Sequence, residues 1–248
     1  MTLSDDEIER YARHIVMPQV GGVGQRKLKA ADVAIIGAGG IGSAVVPALA
    51  GAGVGKLTIV DGDVVELANL HRQPLFREDD VGKPKAELAA EFVRRLNRFV
   101  EVSPRAERID NQNAEQRLAG HSLVIDGSDN FATRLAVSDA SVALGLPLVS
   151  AAAIQFQGQV AHFRSKPCYR CFVGDAFDTD DCDNCSELGV LGALTATIGS
   201  FAALLAINSI VGLSEDPSGQ LHLFDGEKLS WREIRIPADP ACKACGSA

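Results

Sequence analysis

A surplus of basic residues is missing. The 248 residues carry 24 Lys and Arg against 32 Asp and Glu, a formal net charge of −8. That balance excludes non-specific nucleic-acid binding, which neutralises phosphates with a basic surface, and it equally disfavours anionic membranes. A secretion signal is missing too: MTLSDDEIER has acids where a leader carries a basic and then an apolar segment. The chain is therefore read as cytoplasmic, where six cysteines are metal ligands or reactive thiols rather than disulfides. Neither a fixed-period repeat nor a low-complexity tract is present.

Charge is absent over one long stretch. From Leu188 to Ser214, 27 residues run without Asp, Glu, Lys or Arg, long enough to span a bilayer. Glu187 and Glu215 flank it, with no basic residue beside it, and its small and polar members include Asn208. It reads as a central helix buried on all sides by its own protein.

The remainder alternates short apolar runs with helical segments. Ser4 and Glu7 form a capping box for an opening helix, followed by a Gly-rich break at Gly21 to Gly24. Strands are expected at VAIIG (33–37), KLTIVD (56–61), 100–105, SLVID (122–126) and PLVSAAAI (147–154). Helices are expected near 40–52, 85–97 and 130–144. The pattern predicts an α/β, Rossmann-like, doubly wound, mostly parallel sheet. QGQVAHF, a cysteine-rich acidic loop, the long helix and a hairpin-like LHLFD…WREIRI follow as a C-terminal antiparallel extension without an obvious linker. A single domain over 1–248 is expected, with a nucleotide-binding part at about 30–155 and a second part at about 156–248.

GAGGIG (37–42) is G-x-G-x-x-G between a predicted strand and helix. Gly37 permits a tight turn, Gly39 the close approach of a phosphate, and Gly42 close helix packing. Asp61, at the end of the next strand, can hold ribose hydroxyls. Arg72 in NLHRQ (69–73) and Lys85 in DVGKPKAE (80–87) stand on loop-like sequence. A dinucleotide needs few cations, because glycine N–H groups and a helix dipole largely satisfy its two phosphates. A triphosphate undergoing phosphoryl chemistry needs them against developing charge. Asp126 and Asp129 in SLVIDGSDN lie at the carboxyl end of a strand, where a carboxylate can hold magnesium. Ser128 or Asp129 could instead cap the helix beginning at Asn130. Three C-x-x-C pairs, CYRC (168–171), CDNC (182–185) and CKAC (242–245), supply enough thiols for a four-cysteine zinc site. Any two pairs satisfy the count.

Together with RYARHI (10–15), VDGDVVELANLHRQ (60–73), SDNFATR (128–134), NCSELGVLG (184–192) and ACKACG (241–246), these motifs resemble the ThiF/MoeB/HesA family of ubiquitin-activating-enzyme-like adenylyltransferases. CYRC, PLVSAAAI and the final C-x-x-C-G are similar to its molybdopterin-synthase branch, the Asn-Cys before GVLG equally to its thiamine branch. The resemblance implies ATP-dependent adenylation of the C-terminal Gly-Gly carboxylate of a ubiquitin-like sulfur-carrier protein, bound by the 156–248 part. It places Gly40 against the nucleotide and Asp61 on the ribose. Asn69, Arg72 and Lys85 fall on phosphates, with Asp129 on Mg2+ and Asn130 beside it. Arg13 would reach the triphosphate of a neighbouring protomer, implying a homodimer. Cys168, Cys171, Cys242 and Cys245 become the Zn2+ ligands. Cys185 becomes the candidate nucleophile, although Asp175, Asp178, Asp180, Asp181, Asp183 and Glu187 around it oppose a thiolate. Cys182 has no assigned role. Ala68 and Ala193 depart from the serine and proline usual in the family. No sulfur-donating rhodanese domain follows within 248 residues, so a separate sulfur donor is expected.

An NAD-dependent oxidoreductase would explain GAGGIG and Asp61 but leave Arg72, Lys85, Asp129 and the four cysteines idle. A non-catalytic binding module would leave the whole charged set without a use.

Overall fold

The computed structural model describes residues 2–174, 189–213 and 217–246. Cys182, Cys185 and the acidic residues around them lie outside the described residues.

In chain order the elements are α1 (Asp5–Arg10), α2 (Ala12–Ile15), α3 (Gly21–Ala30), β1 (Asp32–Ile36), α4 (Gly42–Ala52) and β2 (Lys56–Val60). Then come α5 (Lys85–Leu96), β3 (Glu101–Arg105), α6 (Ala114–Leu118), β4 (Leu123–Asp126), α7 (Phe131–Leu144) and β5 (Leu148–Ile154). The chain continues with β6 (Gln157–Phe163), α8 (Tyr169–Val173), α9 (Gly192–Val211), β7 (Gln220–Asp225) and β8 (Ser230–Arg235). The strands form one eight-stranded sheet in the order β3-β2-β1-β4-β5-β6-β7-β8. It is parallel from β3 to β5 and antiparallel from β5 to β8.

The strand sequence selects the two layers. Side chains alternate along a strand, so Val33 and Ile35 of β1 face one way, while Ala34 and Ile36 face the other. The first face packs against α3, α4, α5 and α9 through residues such as Leu28, Leu49, Val93 and Ile198. The second packs against α6, α7 and α8 through Leu118, Val137 and Tyr169. Both faces are covered, which explains why the parallel strands read as unbroken apolar runs.

Three local expectations need correction. GGVG at 21–24 does not break the chain; it is the first turn of α3. Gly24 serves packing there, since a Cβ would lie 3.0 Å from both Val20 and Val211, and buried Leu28 anchors the helix. The helix after β4 begins at Phe131, capped by Asn130 rather than by Ser128 or Asp129: Asn130 Oδ1 accepts the Thr133 N–H at 2.8 Å. Finally, α9 is not buried on all sides. Leu194, Ile198, Ala202 and Ala206 are buried, but Ala193, Thr197, Ser200 and Leu204 form an open face on the other side. α9 is long and apolar enough to cross a membrane, yet it packs on α4, β5 and β6 as a core helix does.

The capping box is present, with Ser4 accepting from Glu7 N–H and Glu7 from Ser4 N–H. Buried Tyr11 then pins this segment, because Asn97 Nδ2 donates to its hydroxyl at 2.8 Å and to the Ala50 carbonyl at 2.7 Å. That anchor lies at the C-terminal end of α4.

Candidate nucleotide site and cysteine cluster

The strand order reverses between β1 and β4, where an open α/β sheet leaves a crevice at the carboxyl ends of its strands. The loops after these strands touch there. Gly37 has φ +89°, and a Cβ on it would lie 3.1 Å from the Gly127 carbonyl group. Gly42 is also obligatory, because its Cβ would fall 2.3 Å from the Gly37 oxygen. This packing is against the loop, not against a strand. A Cβ on Gly40 would lie 3.0 Å from Thr195 of α9. Gly39 differs: among the described residues a Cβ there would meet only Gln73 Nε2, at 3.5 Å. The N–H groups of Gly39, Gly40 and Ile41 donate to no acceptor among the described residues. Free N–H groups at a helix N-terminus, with an uncluttered approach, suit an anion.

Asp61 follows β2 and holds this loop. Its Oδ2 accepts the Ala38 N–H at 2.7 Å and its Oδ1 the Asp63 N–H at 2.8 Å. Burial raises its pKa against those two donors and the Lys85 charge. Each oxygen retains capacity for a further donor such as a ribose hydroxyl.

Lys85 opens α5 after Pro84, and its N–H donates to the Asp63 carbonyl at 3.0 Å. Val64 and Pro84 pair beside this bond, so the start of α5 is docked on the loop after β2. The ammonium is buried, 3.5 Å from Asp63 Oδ2. Arg108 Nη2 reaches Asp63 Oδ1 at 2.9 Å. Burial alone would raise the Asp63 pKa, but Arg108 and Lys85 outweigh it and hold the carboxyl below its ordinary range. The Arg108 charge also interacts with Asp129 and Asp61, which places β2, β3 and β4 loops in one electrostatic unit. The sequence marks neither Asp63 nor Arg108. Asp63 stands inside a quoted motif, while Arg108 gains its place only because β3 lies beside β2.

Asn69 and Gln73 are buried on one turn, where the Gln73 N–H donates to the Asn69 carbonyl at 3.1 Å. That turn packs against the start of α9, since a Cβ on Gly192 would lie 2.4 Å from the His71 oxygen. Arg72 is held locally, with Nη1 3.2 Å from the Ala68 carbonyl and 2.9 Å from His71 Nε2. Asp129 is exposed at the crevice. Asp126 is buried beneath it, its Oδ1 accepting from Ser128 N–H at 2.9 Å and Ser128 hydroxyl at 2.6 Å. Burial raises the Asp126 pKa, opposed first by Arg134. Asn130 spends its amide oxygen on the α7 cap.

Arg13 is not brought to this crevice within the chain. It lies two residues from the Tyr11 anchor, at the far end of α4, and α4 is about 16 Å long at 1.5 Å per residue. Its side chain is exposed and forms no hydrogen bond or ion pair among the described residues.

The second cluster is made of sulfur. Cys168 and Cys171 bracket the first turn of α8, and Cys242 and Cys245 stand on the C-terminal turn. Their four Sγ atoms lie within 4.8 Å of one another, with Cys168 to Cys242 at 3.6 Å and Cys171 to Cys245 at 3.4 Å. A tetrahedral site with Zn–S bonds of about 2.3 Å requires S–S edges of about 3.8 Å, so the set fits a metal such as zinc. Burial raises the Cys168 thiol and takes Cys245 to about 11. Burial would raise Cys242 as well, but N–H groups of Cys245 and Ala244 bring it down to about 7.

The chain is 41% identical over 253 residues to a sulfur carrier protein adenylyltransferase of Thermus thermophilus, covering 99% of this chain and 93% of that one. It is 37% identical to a molybdopterin-synthase adenylyltransferase of Salmonella typhimurium, covering 98% of each. Among solved structures, E. coli MccB crystallised with ATP has the same fold, at TM-score 0.85 and 24% identity, covering 98% of this chain and 75% of that one. Residues 11–244 match the ThiF family, and the chain belongs to it.

Proposed function

We propose that this protein activates the C-terminal Gly-Gly carboxylate of a ubiquitin-like sulfur-carrier protein with ATP. A carboxylate oxygen attacks the α-phosphorus, the bond to the β-phosphate oxygen breaks, and acyl-adenylate and pyrophosphate result. The carrying observation is buried Lys85, paired with Asp63 and charge-coupled to the Asp61 that holds the glycine loop. A dinucleotide, whose two phosphates the glycine N–H groups largely satisfy, would ask nothing of this ammonium beyond its pairing with Asp63.

The residues take these parts. Free N–H groups of the glycine loop receive a phosphate, with Gly37, Gly40 and Gly42 giving the loop its shape. Asp61 accepts ribose hydroxyls. Asn69, Arg72 and Lys85 bind the phosphates, Arg72 after leaving the Ala68 carbonyl. Asp129, beside Asn130, holds Mg2+, which neutralises phosphate charge when bound. Arg13 acts on the partner protomer of a homodimer, as its remoteness from its own crevice supports. No side chain forms a covalent bond in adenylation, so catalysis is orientation and charge stabilisation. Cys185 is the candidate nucleophile for any later acyl transfer.

The part at about 30–155 binds the nucleotide, and the part at about 156–248 binds the carrier and holds Zn2+ on Cys168, Cys171, Cys242 and Cys245. Four reduced thiolates suit the cytoplasm. Pyrophosphate exchange tests the reading. Labelled pyrophosphate should enter ATP only with magnesium and a carrier ending in Gly-Gly, and Lys85→Ala should abolish it. No exchange with any such carrier overturns adenylation, and turnover of NADH would replace it.

A further inference from the structure

We infer that Gln73 is a substrate-contacting residue, its amide Nε2 donating to one non-bridging oxygen of the α-phosphate. The inference rests on the adenylation reading and deepens it at the reacting atom.

Three observations carry it. First, Gln73 is only 3% exposed, yet neither its Nε2 nor its Oε1 has a hydrogen-bond partner among the described residues, which leaves a free donor for an anion. A buried amide without its hydrogen bonds is costly, so an apolar side chain of the same size would pack better in the ligand-free protein. Second, Nε2 lies 3.5 Å from where a Cβ on Gly39 would stand, and no other atom of the described residues outside that glycine and its chain neighbours comes within 4 Å of that point. The Gln73 amide thus stands beside Gly39, whose own N–H is free among the described residues. Third, the backbone fixes the reach. The Gln73 N–H is bonded to the Asn69 carbonyl and its own carbonyl to the Phe76 N–H, so the side chain projects from a closed turn rather than a loose loop.

Chemistry selects the α-phosphate. The cations Arg72 and Lys85 suit the outer phosphates, which leave as pyrophosphate. The group over the glycine loop stays with the adenylate. When the carboxylate attacks, the equatorial oxygens of the α-phosphorus gain charge. A neutral, preoriented donor stabilises that charge without binding the departing pyrophosphate. Gln73 therefore reads one of two prochiral oxygens.

The experiment compares wild type with Gln73→Ala and the similarly sized Gln73→Met, using the carrier that supports pyrophosphate exchange. Each enzyme is assayed with magnesium and the Rp and Sp diastereomers of adenosine 5′-O-(1-thiotriphosphate). Sulfur at the contacted oxygen weakens the hydrogen bond, so the ratio of rates for the two diastereomers should fall at least fivefold in both variants. Their rates with ATP should fall tenfold or more, with KM for the carrier unchanged. A merely structural role would lower both diastereomer rates equally and leave the ratio intact, which overturns the proposal even if Gln73→Ala is poorly folded. Absence of exchange in the wild type overturns the adenylation reading itself, whereas exchange with an unaltered ratio overturns the assignment of Gln73 alone.

Discussion

The carboxylate of Asp61 accepts the backbone N–H of Ala38 at 2.7 Å, fastening the end of β2 to the glycine loop after β1. The same side chain that would hold a ribose also sets the shape of the phosphate cradle. Asp61→Ala should therefore affect both properties. Losing the acceptor for two N–H groups should cost about 2 kcal/mol in urea unfolding, and calorimetry should show ATP affinity at least tenfold weaker. A variant with full stability and weakened binding would separate the two roles and count against the loop function.

Glycines of the loop should sort into two kinds. Gly42→Ala places a Cβ 2.3 Å from the Gly37 oxygen, so it should destabilise the fold by about 1–3 kcal/mol. Gly39→Ala meets nothing closer than 3.5 Å, so the thermal midpoint should stay unchanged while ATP binding drops tenfold or more. Thermal unfolding and calorimetry on the same samples check both halves.

Half-exposed Asp63 and buried Asp126 should respond oppositely to acid. The Asp63 pKa is lowered in the folded chain, so its stabilisation is present above the ordinary carboxylate value of about 3.9 and is lost as pH falls through the folded value. The Asp126 pKa is raised, so its contribution is fully present below about 3.9 and is lost as pH rises through the folded value. Relative to wild type, Asp63→Asn should lose most stability at neutral pH and least in acid, and Asp126→Asn the reverse. Urea titrations from neutral pH down to the onset of acid unfolding decide it.

Removing the metal should expose the cysteine cluster. Protein purified without chelator should contain about one zinc per chain. Stripping it should make four more thiols reactive and lower the thermal midpoint by about 10 °C, as expected if about 3 kcal/mol is lost from a chain of this size. Elemental analysis, thiol titration and calorimetry test this.

Arg13 offers a test of assembly. Arg13→Ala and Lys85→Ala should each be inactive in pyrophosphate exchange. If Arg13 serves the partner protomer, an equal mixture of the two should regain about a quarter of the wild-type sites after subunit exchange, through mixed dimers with one intact site each. No recovery in mixed dimers would place Arg13 in its own protomer's site.

Much of this arrangement was legible in order along the chain. Runs such as VAIIG and SLVID announce strands because both faces of the parallel sheet are covered, and glycines at 37, 39 and 42 announce the turn between strand and helix. What escaped was set by neighbours. Arg108 reaches Asp63 only because β3 pairs with β2, with Val60 opposite Arg105. GGVG becomes helical because α3 closes against Val211, a contact far along the chain that overrides glycine's poor helix propensity. The open face of α9 escaped because small residues such as Ala193 and Ser200 look alike in a core and on a surface.

Gly199, midway along α9, leaves no room for a Cβ beside Ile41, whose carbonyl oxygen would stand 2.5 Å away. Here the backbone of α9 rests on the first turn of α4, with only the Ala44 methyl beside the contact. α9 also lies along β5 and β6, so it works as a rigid strut between the antiparallel wing and the glycine loop. A push on the wing by an arriving protein would be transmitted as displacement rather than absorbed by repacking. On the proposed function, the cradle for the nucleotide would thereby be mechanically joined to the part that meets the carrier.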